Sequence, residues 1–346
     1  MSSVEAGIMR SSPPEEAPGA RPMRVGIIGT GFGSRVVAGA FRDAGCEVTD
    51  VVTARDAAAV RSLCRSDIDL VAVHSPPFLH ASHVAMAIDA GRAVLCDKPF
   101  GTSVDEALVM TQAAEAAGVP NFINFEFRHQ PARRTMQQLL ETGAIGRPEH
   151  LAYTAFTSGS RVPLRPWGWL FDRSLGGGWI GAFGSHAIDL IRWLLGDIER
   201  AGAATWINIP ERPDADGKLH HCDAEDAFSG WIELRSKATA SVDSTFTAGV
   251  SLAPRIVITG SEGAIENVGD ARLSLHRQDG TNELIEFDRP AGDPHHSAMT
   301  TWAAAIRDAV IHGKVISPSF ADGLACMRVM EQWRARPAVP LGSSLG

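Results

Sequence analysis

Residues 29–34, Gly29-Thr30-Gly31-Phe32-Gly33-Ser34, follow the apolar run 23–28 and open a helical pattern over 34–43. A strand, a glycine-rich turn and a helix in that order leave few folds available. The first glycine permits a tight turn, and the second lets backbone amides approach a pyrophosphate. The helix start then offers unpaired N–H groups to the phosphates. Ser34 stands at the third position of the usual pattern, where a small residue is tolerated. Gly29, Thr30, Gly31, Phe32, Gly33 and Ser34 are therefore expected to hold a dinucleotide.

The next hundred residues fit that unit. Strands are expected at 24–28, 47–52, 70–74, 93–96 and 121–124, with helices near 34–43, 57–64, 81–90 and 104–117. Alternation of this kind means right-handed βαβ crossovers and a parallel sheet. Ser103 and Glu106 form a capping box for the fourth helix, and Gly118 with Pro120 closes it. After Pro148 the period changes to two, over 150–157, 203–209, 226–234, 238–247, 255–259, 273–277 and 283–287. Helices near 297–311 and 322–333 are expected to return to the first domain. The predicted fold is α/β: an N-terminal Rossmann dinucleotide-binding domain (23–147) and a C-terminal α+β domain (148–340) with a large, open, mainly antiparallel sheet. Residues 1–22 lack the apolar core of a secretory signal and read as a disordered leader.

Length and charge narrow the function. At 346 residues the chain can bury two cores, and its net charge of −8 argues against a nucleic-acid partner. No apolar run reaches the roughly 18 residues of a membrane span. Five scattered cysteines without a CxxC pair read as reduced thiols of a cytoplasmic protein. His220-His221-Cys222-Asp223 and His295-His296 carry metal-type side chains but lack separated ligand spacing, so no metal is expected.

Several motifs in order, GTGFG, His74-Ser75-Pro76-Pro77-Phe78-Leu79-His80, Cys96-Asp97-Lys98-Pro99, the 124–128 stretch and GGG…Gly184-Ser185-His186, resemble the Gfo/Idh/MocA oxidoreductase family from about residue 24 to 334. Ser317-Pro318-Ser319-Phe320-Ala321-Asp322-Gly323 resembles its C-terminal helix entry. The resemblance implies NAD(P)-dependent oxidation or reduction of a carbinol carbon in sugars, polyols or related cyclic compounds. It also implies a homodimer or homotetramer built through the C-terminal sheet. Ser75, Pro76, Pro77 and His80 resemble the loop under the cofactor, and Asp97, Lys98 and Pro99 the family's EKP segment with Asp for Glu.

The residues themselves point to chemistry. Lys98 lies beyond a buried strand, where its ammonium can hold a reacting hydroxyl and favour developing alkoxide. His186 follows Gly184-Ser185 at an expected helix start, which disfavours imidazolium and leaves a neutral proton acceptor. In the family pattern it is the acid/base. The second strand ends without a carboxylate, in Thr53-Ala54-Arg55. Ala54 and Arg55 are then expected at the adenine ribose, with Arg55 either clamping a 2′-phosphate, which favours NADP over NAD, or solvated. Asn124 and Arg128 are candidates for substrate or nicotinamide contact, Arg128 alternatively for a salt bridge. Trp167, in a loop of tryptophans and arginines over 161–169, suits a sugar, an anionic substituent or an interface. Ala182 stands where the family often carries Asp, and Asp189 is a candidate orienter of His186. The expected activity is hydride transfer with Lys98 and His186 as catalytic pair. Two alternatives stay open: a cofactor-retaining glycosidase or lyase without net redox, and a non-catalytic dinucleotide-binding regulator.

Overall fold

The computed structural model describes residues 21–288 and 292–335. The expected leader, apart from its last two residues, and the end of the expected second domain at 336–340 lie outside the described residues. The first sheet is built from β1 (Arg24–Ile28), β2 (Glu47–Val52), β3 (Leu70–Val73), β4 (Ala93–Cys96) and β5 (Asn121–Ile123), all parallel, in the order β2-β1-β3-β4-β5. Between them run α1 (Ala38–Asp43), preceded by a π-helical turn at Gly33–Val37, then α2 (Ala57–Arg65), α3 (His80–Asp89) and α4 (Val104–Ala117). Every residue of β3 and β4 is buried, as a strand covered on both faces must be.

The two faces fill differently. Val25, Ile27, Leu70, Ala72, Leu95 and Phe122 join Val37 and Phe41 and the late α7 (His296–His312) through Met299, Trp302 and Ile306. Val71, Val73, Val94, Cys96 and Ile123 turn the other way, into a core shared with Val60, Val84 and Met110. The return of a C-terminal helix onto the first sheet thus completes its core. The capping box at Ser103 is incomplete: its hydroxyl accepts from Glu106 N, but the Glu106 carboxylate accepts from Thr102 N.

α5 (Pro131–Glu141), which the sequence reading does not anticipate, leads to β6 (Pro148–Phe156). After α6 (Ser185–Leu195) come β7 (Ile198–Trp206), a two-stranded ribbon of β8 (Glu211–Pro213) and β9 (Leu219–His221), then β10 (Ala227–Leu234), β11 (Thr239–Thr245), β12 (Arg255–Gly260), β13 (Gly263–Val268), β14 (Arg272–Arg277) and β15 (Asn282–Glu286). The chain turns back through α7 to α8 (Phe320–Arg334). The large sheet runs β15-β14-β13-β12-β6-β11-β10-β7 and is antiparallel except at β6/β11, which pair in parallel. The parallel pair is possible because a long crossover carrying α6 separates the two strands. β13 also escapes the sequence reading: its Gly263, Glu266 and Asn267 break the apolar alternation. One face buries Leu151, Tyr153, Phe228, Ile232, Val242, Ile256, Ile258, Ile265 and Leu273, while the other carries the half-exposed Trp206 and Trp231.

Candidate active site

The carboxyl ends of β1–β5 open on one cleft of about 820 Å³, where ligands of open parallel sheets bind. Gly29 sits there at φ +125°, and a Cβ on it would lie 2.4 Å from the His74 carbonyl oxygen. A Cβ on Gly33 would meet Ile27 at 2.9 Å, so Gly33 rather than Ser34 supplies the close helix–strand contact. Gly31 is different: nothing lies within 4 Å of the place its Cβ would take. That open space, beside amides at the start of a helix, fits the approach of a dinucleotide pyrophosphate. Gly29, Thr30, Gly31 and Phe32 line the cleft, whereas Gly33 and Ser34 lie outside its lining. Thr53, Ala54 and Arg55 line its far end, and Arg55 is exposed.

Ser75, Pro76 and Pro77 form the next wall. His80 lies behind them, fully buried, with Nε2 donating to the Ser75 carbonyl at 2.8 Å. Burial lowers its pKa, so it stays a neutral brace for the loop. Asp97 is the hub of the wall. It accepts from His74 Nδ1 at 3.1 Å, from the Lys98 backbone N–H at 2.8 Å and from Asn124 Nδ2 at 3.3 Å. Despite the opposing cost of burial, the charges of His74 and Lys98 and the His74 hydrogen bond hold its carboxyl far below the usual range. Lys98 leaves this hub with Nζ free to reach across the cleft, where it donates to the Ala182 carbonyl at 2.8 Å.

His186 completes the centre. It is 4 % exposed, and both ring nitrogens are buried without a partner among the described residues. Phe127 packs on the imidazole with centroids 4.3 Å apart, and Phe125 meets its edge at 5.8 Å. The helix-start reason for its neutrality does not hold: a π-helical turn at Ile180–Gly184 runs directly into α6, and Ser185 Oγ donates back to the Gly181 carbonyl. Burial first, then the Lys98 charge, lowers the pKa of His186 well below its ordinary value. Two unspent nitrogens on a neutral ring beside an ammonium are what a proton acceptor for a bound hydroxyl requires.

Other sequence candidates separate. Asn124 and Ala182 line the cleft; Arg128 and Trp167 lie outside its lining. The Arg128 guanidinium is buried on Asp189, with Nε donating to Oδ2 at 2.8 Å and Nη2 to Oδ1 at 2.5 Å. It also reaches Ser317 and Asp322. Asp189 is thereby committed to Arg128, not to His186. Trp167 stacks on His220 at 4.4 Å. The sequence reading missed Glu126, Phe127 and, as a cleft residue, His295, which all line the cleft; His295 Nδ1 donates to buried Glu126 Oε1 at 2.7 Å. Glu126 lies just past β5, where position alone signals a site residue, but no spacing announces a partner 169 residues away. Trp179, Phe183 and Phe246 form an outer wall, Trp179 stacking on the other two at 5.3 and 4.2 Å.

Comparison with known proteins agrees with this architecture. Residues 23–125 match the oxidoreductase family with an NAD-binding Rossmann fold, and 133–266 match the GFO/IDH/MocA C-terminal domain. D-apiose dehydrogenase of Paraburkholderia graminis is 31 % identical over 289 residues, covering 76 % of this chain and 72 % of its own. Levoglucosan dehydrogenase of Pseudarthrobacter phenanthrenivorans is 28 % identical over 299 residues, covering 74 % and 75 %. A solved levoglucosan dehydrogenase, in complex with NADH and L-sorbose, shares the fold with a TM-score of 0.82 at 24 % identity, over 90 % of this chain and 95 % of that one. A dinucleotide-binding sheet followed by a second, larger sheet is thus an inherited plan, and the chain belongs to the Gfo/Idh/MocA family of oxidoreductases.

Proposed function

We propose that the protein oxidises or reduces a carbinol carbon of a sugar, polyol or related cyclic compound, with Lys98 and His186 as its catalytic pair. The observation that carries this reading is the His186 imidazole, buried in the cleft with both nitrogens unspent, beside a lysine reaching in from the opposite wall. Gly29, Thr30, Gly31, Ser75, Pro76 and Pro77 would hold a nicotinamide dinucleotide, which would supply the hydride acceptor or donor. Lys98 exchanges its bond to the Ala182 carbonyl for one to the substrate oxygen and favours the alkoxide. His186 takes the hydroxyl proton in oxidation. In reduction the same burial makes its protonated form a strong acid, suited to return that proton. Asp97 positions Lys98 through the backbone, and Phe125 and Phe127 keep water from the imidazole.

We infer a preference for NADP from the far end of the cleft. Arg55 projects there with no ion-pair partner among the described residues, and the nearest acid in sequence, Asp56, caps α2. A guanidinium suits a 2′-phosphate and a carboxylate would suit the free ribose hydroxyls. The exposed Trp206 and Trp231 favour assembly of copies through the outer face of the large sheet, and five buried cysteines accord with the cytoplasm.

The test is absorbance at about 340 nm, the reduced-nicotinamide band, over a panel of sugars, polyols and keto-sugars with both cofactors. Steady turnover that falls about 10²- to 10⁴-fold in His186→Ala, with cofactor affinity retained, is expected. Wild-type rates in that variant would overturn the assignment. Equal NADP affinity before and after Arg55→Ala would remove the phosphate clamp.

A further inference from the structure

Beyond the catalytic pair and Arg55 at its far end, the cleft is lined by a further cation, Arg165, that the chemistry of hydride transfer does not use. Arg165 lines it beside Trp169, Trp179 and Phe246, with its guanidinium carbon 6.0 Å from the centre of the Phe246 ring. Among the described residues the guanidinium has no hydrogen-bond or ion-pair partner; the residue stands exposed at the cleft rim, and its partial burial lowers its pKa. The acids of the surrounding elements are all engaged. Glu225 pairs with Arg334 at 3.0 Å, and Asp226 accepts from the backbone of Asn208 and Ile209. Asp172 caps Ser174, and Asp223 accepts from Arg173 N.

Its mounting is rigid. Arg165 N donates to the Ser160 carbonyl at 3.1 Å, while its own carbonyl accepts from Arg212 Nη1 at 3.0 Å. Arg212 is fully buried, lies over Phe171 at 4.0 Å, and binds both the carbonyl and the hydroxyl of Ser160. Ser160 in turn donates twice to the Phe246 carbonyl. The loop bearing Arg165 is thus riveted to the strand end that presents its aromatic platform. A guanidinium exposed at the cleft rim on a braced loop, lacking a counter-charge among the described residues, is suited to receive an oxyanion.

We propose that Arg165 is a specificity-determining residue that receives an oxyanion on the substrate, so that the substrate class is acidic sugar derivatives. The Phe183–Trp179–Phe246 wall separates this receptor from Lys98, which sits against Ala182. The anion therefore lies on a part of the substrate remote from the reacting carbon. A carboxylate and a phosphate share the required chemistry. The proposal rests on the carbinol-oxidoreductase reading but has its own readout.

The test compares matched sets of a neutral sugar, its uronate and its 6-phosphate. Binding to cofactor-loaded protein is measured by isothermal titration and turnover by reduced-nicotinamide absorbance. The wild type is expected to favour one acidic member roughly 10- to 100-fold over the neutral sugar, and the preferred anion distinguishes carboxylate from phosphate. Arg165→Met should collapse that ratio through KM and binding, Arg165→Lys should keep much of it, and NADPH affinity should hold in both. Anion binding that depends on Arg165 without turnover would uphold the receptor and sink the hydride-transfer reading. No anion preference, no binding of any set, or the same ratio in Arg165→Met would overturn the receptor.

Discussion

Arg128 distinguishes a structural from a substrate-binding role more sharply than any other residue near the cleft. Its guanidinium makes a forked bond to Asp189, one helical turn beyond His186, and reaches Ser317 and Asp322 at the entry to α8. Both partners of the main pair are buried, at 5 % and 2 % exposure. Burial raises the Asp189 pKa even with Arg128 in place. Arg128→Met therefore strands a carboxylate, and removal of one member of a buried pair costs about 3–5 kcal/mol. For a chain of this size that is a fall of roughly 4–7 °C in melting temperature. Asp189→Asn should cost less, because Arg128 keeps Asp322 at 3.4 Å. The double variant should be more stable than Arg128→Met alone, with a coupling of about 0.5–3 kcal/mol. The Arg128→Met penalty should also shrink as pH falls, because its stranded carboxyl, raised above its unfolded pKa, binds a proton first in the folded state. Melting curves of the three variants at pH 8 and pH 5, read beside their KM values, decide the matter. An Arg128→Met protein with the wild-type melting temperature and a KM raised a hundredfold would refute the structural assignment.

Two further perturbations separate folding from binding. Gly31→Ala adds a methyl where the protein leaves open space, so the melting temperature without cofactor should hold while titrated cofactor affinity falls at least tenfold; unchanged affinity would exclude the pyrophosphate from that turn. His129, stacked on Trp302, has its pKa pushed down to about 4 by burial. Below about pH 6.5 the unfolded chain binds a proton that the folded one refuses, so stability should fall by about 1.4 kcal/mol per pH unit down to pH 4. Urea unfolding of His129→Phe at pH 7 and pH 5 should show a correspondingly shallower loss, and an identical slope would sink the assignment.

The parallel sheet was legible because its signals are local. Most strands of 24–123 are short apolar runs, β2 with its Glu47, Thr49 and Asp50 being the exception, and the turn glycines state their own conformational demand. Lys98 and Asn124 were legible for the same reason, standing one or two residues past a strand. Where the structure departs from the reading, the cause lies in pairing across the chain. Whether β6 joins β11 in parallel is set by what packs around α6, not by either strand's sequence. Asp189 looked available to His186 because helical spacing brings 186 and 189 together, yet an arginine 61 residues earlier takes it. His186 keeps its proposed role by a different cause: continuous helix removes the terminal dipole, and burial beside Lys98 holds the ring neutral instead.

Ala182 is where that cause can be put to the proof. Its carbonyl holds Lys98 Nζ, and its side-chain position faces the cleft four residues before His186, on the same helical face. In Ala182→Asp a carboxylate joins Lys98 and His186, in the arrangement the family resemblance implies. An opposite charge within about 4–6 Å favours the charged form of a base, so the His186 pKa should rise toward its ordinary value. The wild-type imidazole, held neutral by burial, should leave kcat/KM for oxidation flat between pH 8 and 6 as far as this group is concerned. The Ala182→Asp profile should bend downward on the acid side, losing about tenfold per pH unit below the raised pKa. Superimposable profiles would mean that no charge at position 182 reaches the imidazole. In that case the ammonium of Lys98, bonded to the carbonyl of the same residue, would be equally without influence, and the electrostatic account of His186 would reduce to burial alone.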